Sequence, residues 1–286
     1  MTSVVTSGAA YADFDFAHAA TGIYRGMPAD IYHARAPGVV SKTVLDILER
    51  SAAHYKAWLD GHERPATDAL ELGVITHARV FEPDLFASTY VQAPDHGDQR
   101  FKENKQKKAE WKAANEGKKP VSEEHWIASE GMARSIRRHP KVAPLLSRGE
   151  AEVTARWEDL DTGIICKARA DWLVPNLGII LDLKTTEDAR EDAFARSCAK
   201  YRYHVQNAHY DHGFSMAGIE IEDFVFVAVE KQPPYACAVY TLDDEAVFKG
   251  REAVDRNLRS LRDCIEVDEW PAYGNGIKKL SLPRWA

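Results

Sequence analysis

Three short segments in the second half of the chain constrain its fold more than anything else in the sequence. Glu152 to Trp157 alternates between polar and apolar residues, Ile164 to Val174 reads as a second extended run, and Ile179 to Lys184 reads as a third. Alternation with a period of two is the mark of a strand that shows one face to a core. The joints are compact turns, Asp159-Leu-Asp-Thr-Gly163 and Pro175-Asn-Leu-Gly178, rich in the residues that reverse a backbone. A parallel pair needs a crossover of about a dozen residues or more, so strands joined this tightly form an antiparallel meander.

The rest of the chain surrounds that meander with helices. Residues 1 to 20 are rich in Ala, Thr and Ser without periodicity and are expected to be loosely held. Ser41 can cap a helix through Leu48, and a second helical stretch follows from His54 to Leu59. Thr67 or Asp68 opens a longer helix in which Leu70, Gly73, Val74, His77, Val80 and Phe81 recur at spacings of three and four, closed by Pro83. Residues 99 to 146 are again helical and highly charged, with a break at Gly117 to Pro120. Beyond the meander come helices over 189–200 and 203–217, a buried strand over Asp223 to Val229, its partner over Ala236 to Leu242, and a last helix capped by Asp243 or Asp244. The pattern predicts one α/β domain over 21–286, mainly helical over 21–148 and built on a mixed sheet core over 149–286.

Hydrophobic residues make up 45% and charged residues 28% of the 286, enough apolar material for a core and too much for a disordered chain. The absence of a leader-like or membrane-length apolar run leads us to expect a cytoplasmic protein without membrane contact. Cys166, Cys198, Cys237 and Cys264 lack the paired spacing of a zinc or iron-sulfur site and read as buried thiols. A net charge of −7 sits awkwardly with nucleic acid, yet Arg100 to Lys119 carries eight basic residues against three acids, a local balance of +5.

Chemistry is concentrated on the third strand. Asp182 and Lys184 interrupt the apolar residues Ile179, Ile180, Leu181 and Leu183, and standing two apart they leave the same face of the sheet. The turn at Pro175 to Gly178 folds Asp171 of the preceding strand back beside Asp182. Two carboxylates and an amine converging there could hold a hard cation by oxygen ligands and position a water for attack. A buried Asp/Lys ion pair with no catalytic duty is the plainer alternative for a D-x-K tripeptide.

Asp171 followed by Ile180-Leu-Asp-Leu-Lys-Thr-Thr186 resembles the D…(D/E)-x-K signature of the PD-(D/E)XK nuclease superfamily. Gln206 and Tyr210 resemble the Q-x-x-x-Y motif of its RecB-like branch, and Gly73-Val-Ile-Thr-His77 resembles the G-x-x-x-H of that branch. Spacings of four put Gln206 and Tyr210 on one helical face, and put Gly73 beneath His77, where a missing side chain would leave room for the imidazole. Ser41-Lys42, Ser51-Ala-Ala-His-Tyr55, Thr162-Gly163 ahead of Asp171-Trp172, and Leu280-Ser-Leu-Pro-Arg-Trp285 resemble the RecE-type exonucleases, also called exodeoxyribonuclease VIII.

That resemblance implies a restriction-endonuclease-like fold and 5′ to 3′ hydrolysis from the ends of double-stranded DNA, leaving 3′ tails for a single-strand annealing recombinase of the RecT type. It further implies magnesium, replaceable by manganese, held by Asp171, Asp182, the backbone carbonyl of Leu183 and His77, with Glu152 as a ligand for a second ion. Lys184 would steady the attacking hydroxide, and Gln206 and Tyr210 would hold the substrate strand or a water. Ser41 and Lys42, at a helix start, would receive a terminal phosphate. A ring-shaped homo-oligomer, tetramer or trimer, would encircle the duplex. The rival readings are a CRISPR-associated or helicase-associated nuclease, a DNA-binding protein of the same fold without activity, and a hydrolase of small phosphates.

Overall fold

The structure is a computed structural model that describes residues 5–6, 11–62, 67–98 and 100–282. Gln99, the end of the Leu280–Trp285 segment, and residues 1–4 and 7–10 of the stretch expected to be loose lie outside the described residues.

The chain opens with β1 (Val5–Thr6), β2 (Gly22–Arg25), α1 (Ala29–His33) and β3 (Val39–Val40). Four helices follow: α2 (Lys42–Arg50), α3 (Ala52–Leu59), α4 (Asp68–Phe81) and α5 (Pro83–Thr89). Thr67 caps α4 by accepting from the Leu70 N–H, and Pro83 begins α5 where proline costs no hydrogen bond. Next come β4 (Tyr90–Gln92), α6 (Lys102–Ala114), β5 (Lys119–Val121), α7 (Glu123–Arg138) and the short α8 (Ala143–Leu146). The expected meander is β6 (Glu150–Glu158), β7 (Ile165–Val174) and β8 (Ile179–Thr186). Then α9 (Glu191–Lys200) and α10 (Tyr203–Met216) lead to β9 (Asp223–Glu230), β10 (Cys237–Tyr240) and α11 (Asp244–Val267), which Asp243 caps.

The main sheet has eight strands, in the order β1-β2-β6-β7-β8-β9-β10 with β3 added alongside β7. The meander pairs are antiparallel, as their turns require, and β9 lies parallel to β8 across the crossover made by α9 and α10. One face, with Val153, Ala168, Ile180 and Phe226, packs on α2, α10 and α11 through Leu45, Phe214 and Leu261. The other, with Leu181, Leu183 and Val227, packs on α4 and α7 through Leu72, Met132 and Ile136. Helices on both faces explain why β9 is almost unbroken in its apolar character.

The N-terminal segment differs from its sequence reading. Tyr11 and Phe16 are buried in a small core with Tyr24, Met27 and Tyr32. Three cations on the sheet bind carbonyl oxygens along this segment: Arg156 donates to Phe16 and Ala17, Lys167 to Tyr32 and Ala34, and Arg169 to Met27 and Pro28. Nothing in the period of residues 11–25 announces this, because the cations that bind their carbonyls lie more than a hundred residues away.

Candidate active site

The β7–β8 ladder runs Val174–Ile179, Leu173–Ile180, Trp172–Leu181 and then stops. Asp171 and Asp182 are the next residues on each strand, so they sit where the sheet forks. The divergence frees the Leu183 N–H, and Asp171 Oδ2 accepts it at 2.9 Å. On the other side of β7, Asp171 faces Glu152, whose pairing is missing between Ala151–Trp172 and Val153–Ala170. Ala151 packs with the α4–α7 face and Val153 with the α10–α11 face although they are two apart on one strand. The alternation therefore reverses at Glu152, which takes a left-handed φ of 54°, a strained state for a residue with a side chain.

Helix α4 reaches the fork from one face. His77 Nε2 lies 3.3 Å from both Asp171 Oδ1 and Glu152 Oε1. Its ring meets Phe81 edge-on at 5.0 Å, and Phe81 stacks on Trp172. Burial alone would lower the His77 pKa, but Asp171, Glu152 and Glu82 outweigh it and raise it to about 9. Burial likewise works to raise Asp171, yet His77, Lys184 and the Leu183 amide hold its carboxyl below the ordinary range. Arg169, from inside β7, binds the other oxygen of Glu152 at 3.0 Å.

Helix α10 reaches the fork from the opposite face. Gln206 Nε2 donates to Asp182 Oδ1 at 2.5 Å. Lys184 Nζ is in ion-pair contact with Asp182 Oδ2 and lies 4.8 Å from the centre of the Tyr203 ring. Oδ2 is buried, and the Lys184 ammonium is its partner among the described residues. Burial first, and then Asp171, raise the Asp182 pKa to about 6 against the pull of Lys184 and Gln206. Burial opposes the Lys184 charge, and Asp182 and Asp171 more than restore it.

The structure thus brings together Asp171, Asp182, Lys184, His77, Glu152 and Gln206. Tyr210 is buried on α10 four residues from Gln206, its ring edge-on to Phe224 at 5.8 Å. Leu183, whose carbonyl the resemblance puts on the cation, stands opposite Val227 of β9. Lys42 Nζ is engaged by Asp46 at 2.5 Å and by the Tyr201 carbonyl at 3.1 Å, and the Ser41 side chain makes no cap bond to α2. Gly73 does not make room for the imidazole: a Cβ there would meet Thr185 Oγ1 at 3.5 Å, ordinary contact with the sheet.

Glu82, Arg169 and Tyr203 escape the sequence reading. Ligand atoms of His77, Glu82 and Glu152 all lie within 4.8 Å of one another. Glu82 follows His77 by five residues, off the helical repeat, because α4 ends at Phe81 and the backbone turns there. Tyr203 could have been found from its place three residues before Gln206 on α10.

The donors suit a hard divalent cation: the carboxylates of Asp171 and Asp182, the latter almost wholly buried, and the imidazole of His77. All four cysteines are free; Cys166, Cys198 and Cys264 are buried and Cys237 is half-buried. Among the described residues no helix is long and apolar enough to cross a membrane.

A protein from Eubacterium rectale, described by inference as an exonuclease, has a similar crystal structure at a TM-score of 0.57 and 15% identity, over 90% of this chain and 96% of that one. A phage-related exonuclease from Haemophilus somnus 129PT overlaps 66% of this chain and 96% of its own at 14% identity, but a TM-score of 0.33 makes that likeness too distant to bear on the fold. No curated protein matches the sequence. Residues 41–282 match the family described as PDDEXK-like domain of unknown function (DUF3799), which spans the helices, the fork and the sheet core, and the chain belongs to that family.

Proposed function

We propose that the protein is a metal-dependent exodeoxyribonuclease of RecE type that hydrolyses phosphodiester bonds from the ends of double-stranded DNA, 5′ to 3′, and leaves 3′ single-stranded tails. The observation that carries this is the fork: Asp171 and Asp182 stand just past the end of a strand ladder, with Lys184 two residues on and its ammonium against the buried Oδ2 of Asp182. The family match and the name given to the Eubacterium rectale neighbour are consistent with it.

Asp171, Asp182 and His77 would hold magnesium, with manganese as a substitute, and Glu152 would ligate a second ion. Bound there, the cation would supply Lewis acidity at the scissile phosphate and acidify water for attack. The protein's own part is placement. Gln206 fixes one oxygen of Asp182, and the Leu183 amide fixes one oxygen of Asp171. Lys184, under the Tyr203 ring, would direct its ammonium at the phosphate and stabilise the negative charge that grows there. Ser41 at the start of α2 would receive a terminal phosphate, with Lys42 beside it. A ring-shaped trimer or tetramer around the duplex and a RecT-type annealing partner complete the reading, and light scattering would test the first.

Singly end-labelled linear duplex, with and without a 5′ phosphate, incubated with protein and magnesium decides the question. Progressive release of the 5′ label first supports the proposal. Duplex that is bound but never shortened would overturn it in favour of a binding protein, and turnover of mononucleotide esters with indifference to DNA ends would favour a small-phosphate hydrolase.

A further inference from the structure

Between Gln92 and Lys119 the chain forms α6, framed by a two-stranded parallel ribbon of β4 and β5 with Tyr90 beside Lys119 and Gln92 beside Val121. No residue of α6 is buried. Such a helix gains little from packing, so its composition reports a different use.

Lys102, Lys105, Lys108 and Lys112 are spaced three, three and four apart, which lines them along one face of α6. Glu103, Gln106 and Glu110 follow the same kind of spacing on another face, where Gln106 donates to Glu110 at 2.8 Å. The partly buried Asn104, Trp111 and Asn115 form a third face, on which Trp111 lies against His96 and Asn104 donates to the Asp98 carbonyl at 2.9 Å. All four lysines are exposed, and among the described residues none has an ion pair or hydrogen bond for its ammonium. By contrast, most other charged helix residues of the molecule are paired, as in Lys56–Asp60, Arg196–Asp192 and Lys249–Glu245.

The ribbon's root packs on α5, the helix that begins directly after Glu82. Tyr90 stacks on Phe86 at 5.2 Å, and its phenol is pushed up by burial and then by the carboxylates of Glu71 and Glu82. Glu82 is itself clustered with His77 and Glu152. A row of unpaired like charges repels itself and persists where a ligand of opposite charge neutralises it. Thirteen helical residues span about 20 Å, against roughly a dozen phosphates over the same length of duplex.

We infer that the lysine face of α6 is a phosphate-tracking arm that grips the backbone of duplex DNA outside the active site. This rests on the nuclease reading above and adds to it the surface that overcomes the repulsion of a chain with a net charge of −7. The arm supplies affinity and no chemistry.

The test compares wild-type protein with the variant K102A/K105A/K108A/K112A and with E103Q/E110Q from the opposite face. Binding of a fluorescent linear duplex in EDTA is followed by anisotropy across a salt series, and digestion in magnesium gives KM and kcat. The lysine variant is expected to bind at least about tenfold more weakly near 0.1 M salt, with a salt slope shallower by about 3. Its KM should rise, its kcat should be unchanged, and its melting curve by circular dichroism should match wild type. E103Q/E110Q should bind as tightly or more tightly. Unchanged affinity and slope in the lysine variant overturn the inference while wild-type digestion leaves the nuclease reading standing. A wild-type protein that neither binds nor shortens duplex overturns both, and tighter binding of polyglutamate than of duplex overturns the arm's assignment to DNA.

Discussion

Asp182 is almost wholly buried, and its charge is the most costly in the site, since burial and Asp171 push its pKa to about 6. An acid whose folded pKa lies above its unfolded one weakens the fold as it ionises, so between about 4 and 6 the metal-free protein loses stability through Asp182 as pH rises. We therefore expect Asp182→Asn to abolish digestion and, in EDTA near pH 8, to be more stable than wild type by on the order of 1 kcal/mol. Urea denaturation measures the second half, and a destabilised variant would contradict it. Lys184→Ala should also abolish digestion.

His77 gives the matching pH signature. Its pKa is raised to about 9 from 6.5, with burial opposed and outweighed by Asp171 and Glu152. Its contribution is therefore complete below pH 6.5 and is lost as pH climbs through 9. Melting temperatures in EDTA should fall over that window, and His77→Gln should flatten the fall; a wild-type profile that stays level would show that the imidazole is not charged in the metal-free fold.

Among elements, the single 3-10 turn Pro175–Leu177 between β7 and β8 controls the fork. Gly178 has a left-handed φ of 61°, and a Cβ there would come within 2.7 Å of the Glu220 carbonyl oxygen and 3.0 Å of the Glu222 nitrogen. Gly178→Ala is expected to cost about 2 kcal/mol or more and to weaken cation binding with it, because the turn sets the Trp172–Leu181 pairing that delivers the aspartates. Chemical denaturation and calorimetric titration with manganese read the two effects. The meander, its turns and the Asp171–Asp182–Lys184 arrangement are legible in the sequence because each depends on neighbours within about fifteen positions and on a period of two. The two-residue and three-residue strands β1, β3, β4 and β5 are too short to show any period. Glu82 and Arg169 meet His77 and Glu152 only after α4, β6 and β7 have packed, so no local pattern records them. The reversal of faces at Glu152 is equally silent, since the residues on either side alternate as though the strand were regular.

At the scale of the whole molecule, the family match begins at residue 41, yet the structure needs what precedes it. Residues 11–40 contribute β2 and β3 to the sheet, place Tyr32 against the Arg169 guanidinium at 4.2 Å, and provide carbonyl partners for Arg156, Lys167 and Arg169. Without them Arg156 and Lys167 lose their carbonyl acceptors, Arg169 keeps only Thr154 and Glu152, and the apolar cluster around Tyr32 is lost. A chain beginning at residue 41 should therefore melt well below the full chain or fail to fold, as circular dichroism would show. An equal melting temperature would mean that this segment is an ornament.

The fork has a further consequence for how the protein is made. Its donors come from α4, β6, β7, β8 and α10, spread from His77 to Gln206, so no hairpin or single helix can assemble the set. On the nuclease reading, a nascent or half-unfolded molecule would lack the means to cut, and hydrolysis would wait until the last of these segments has docked.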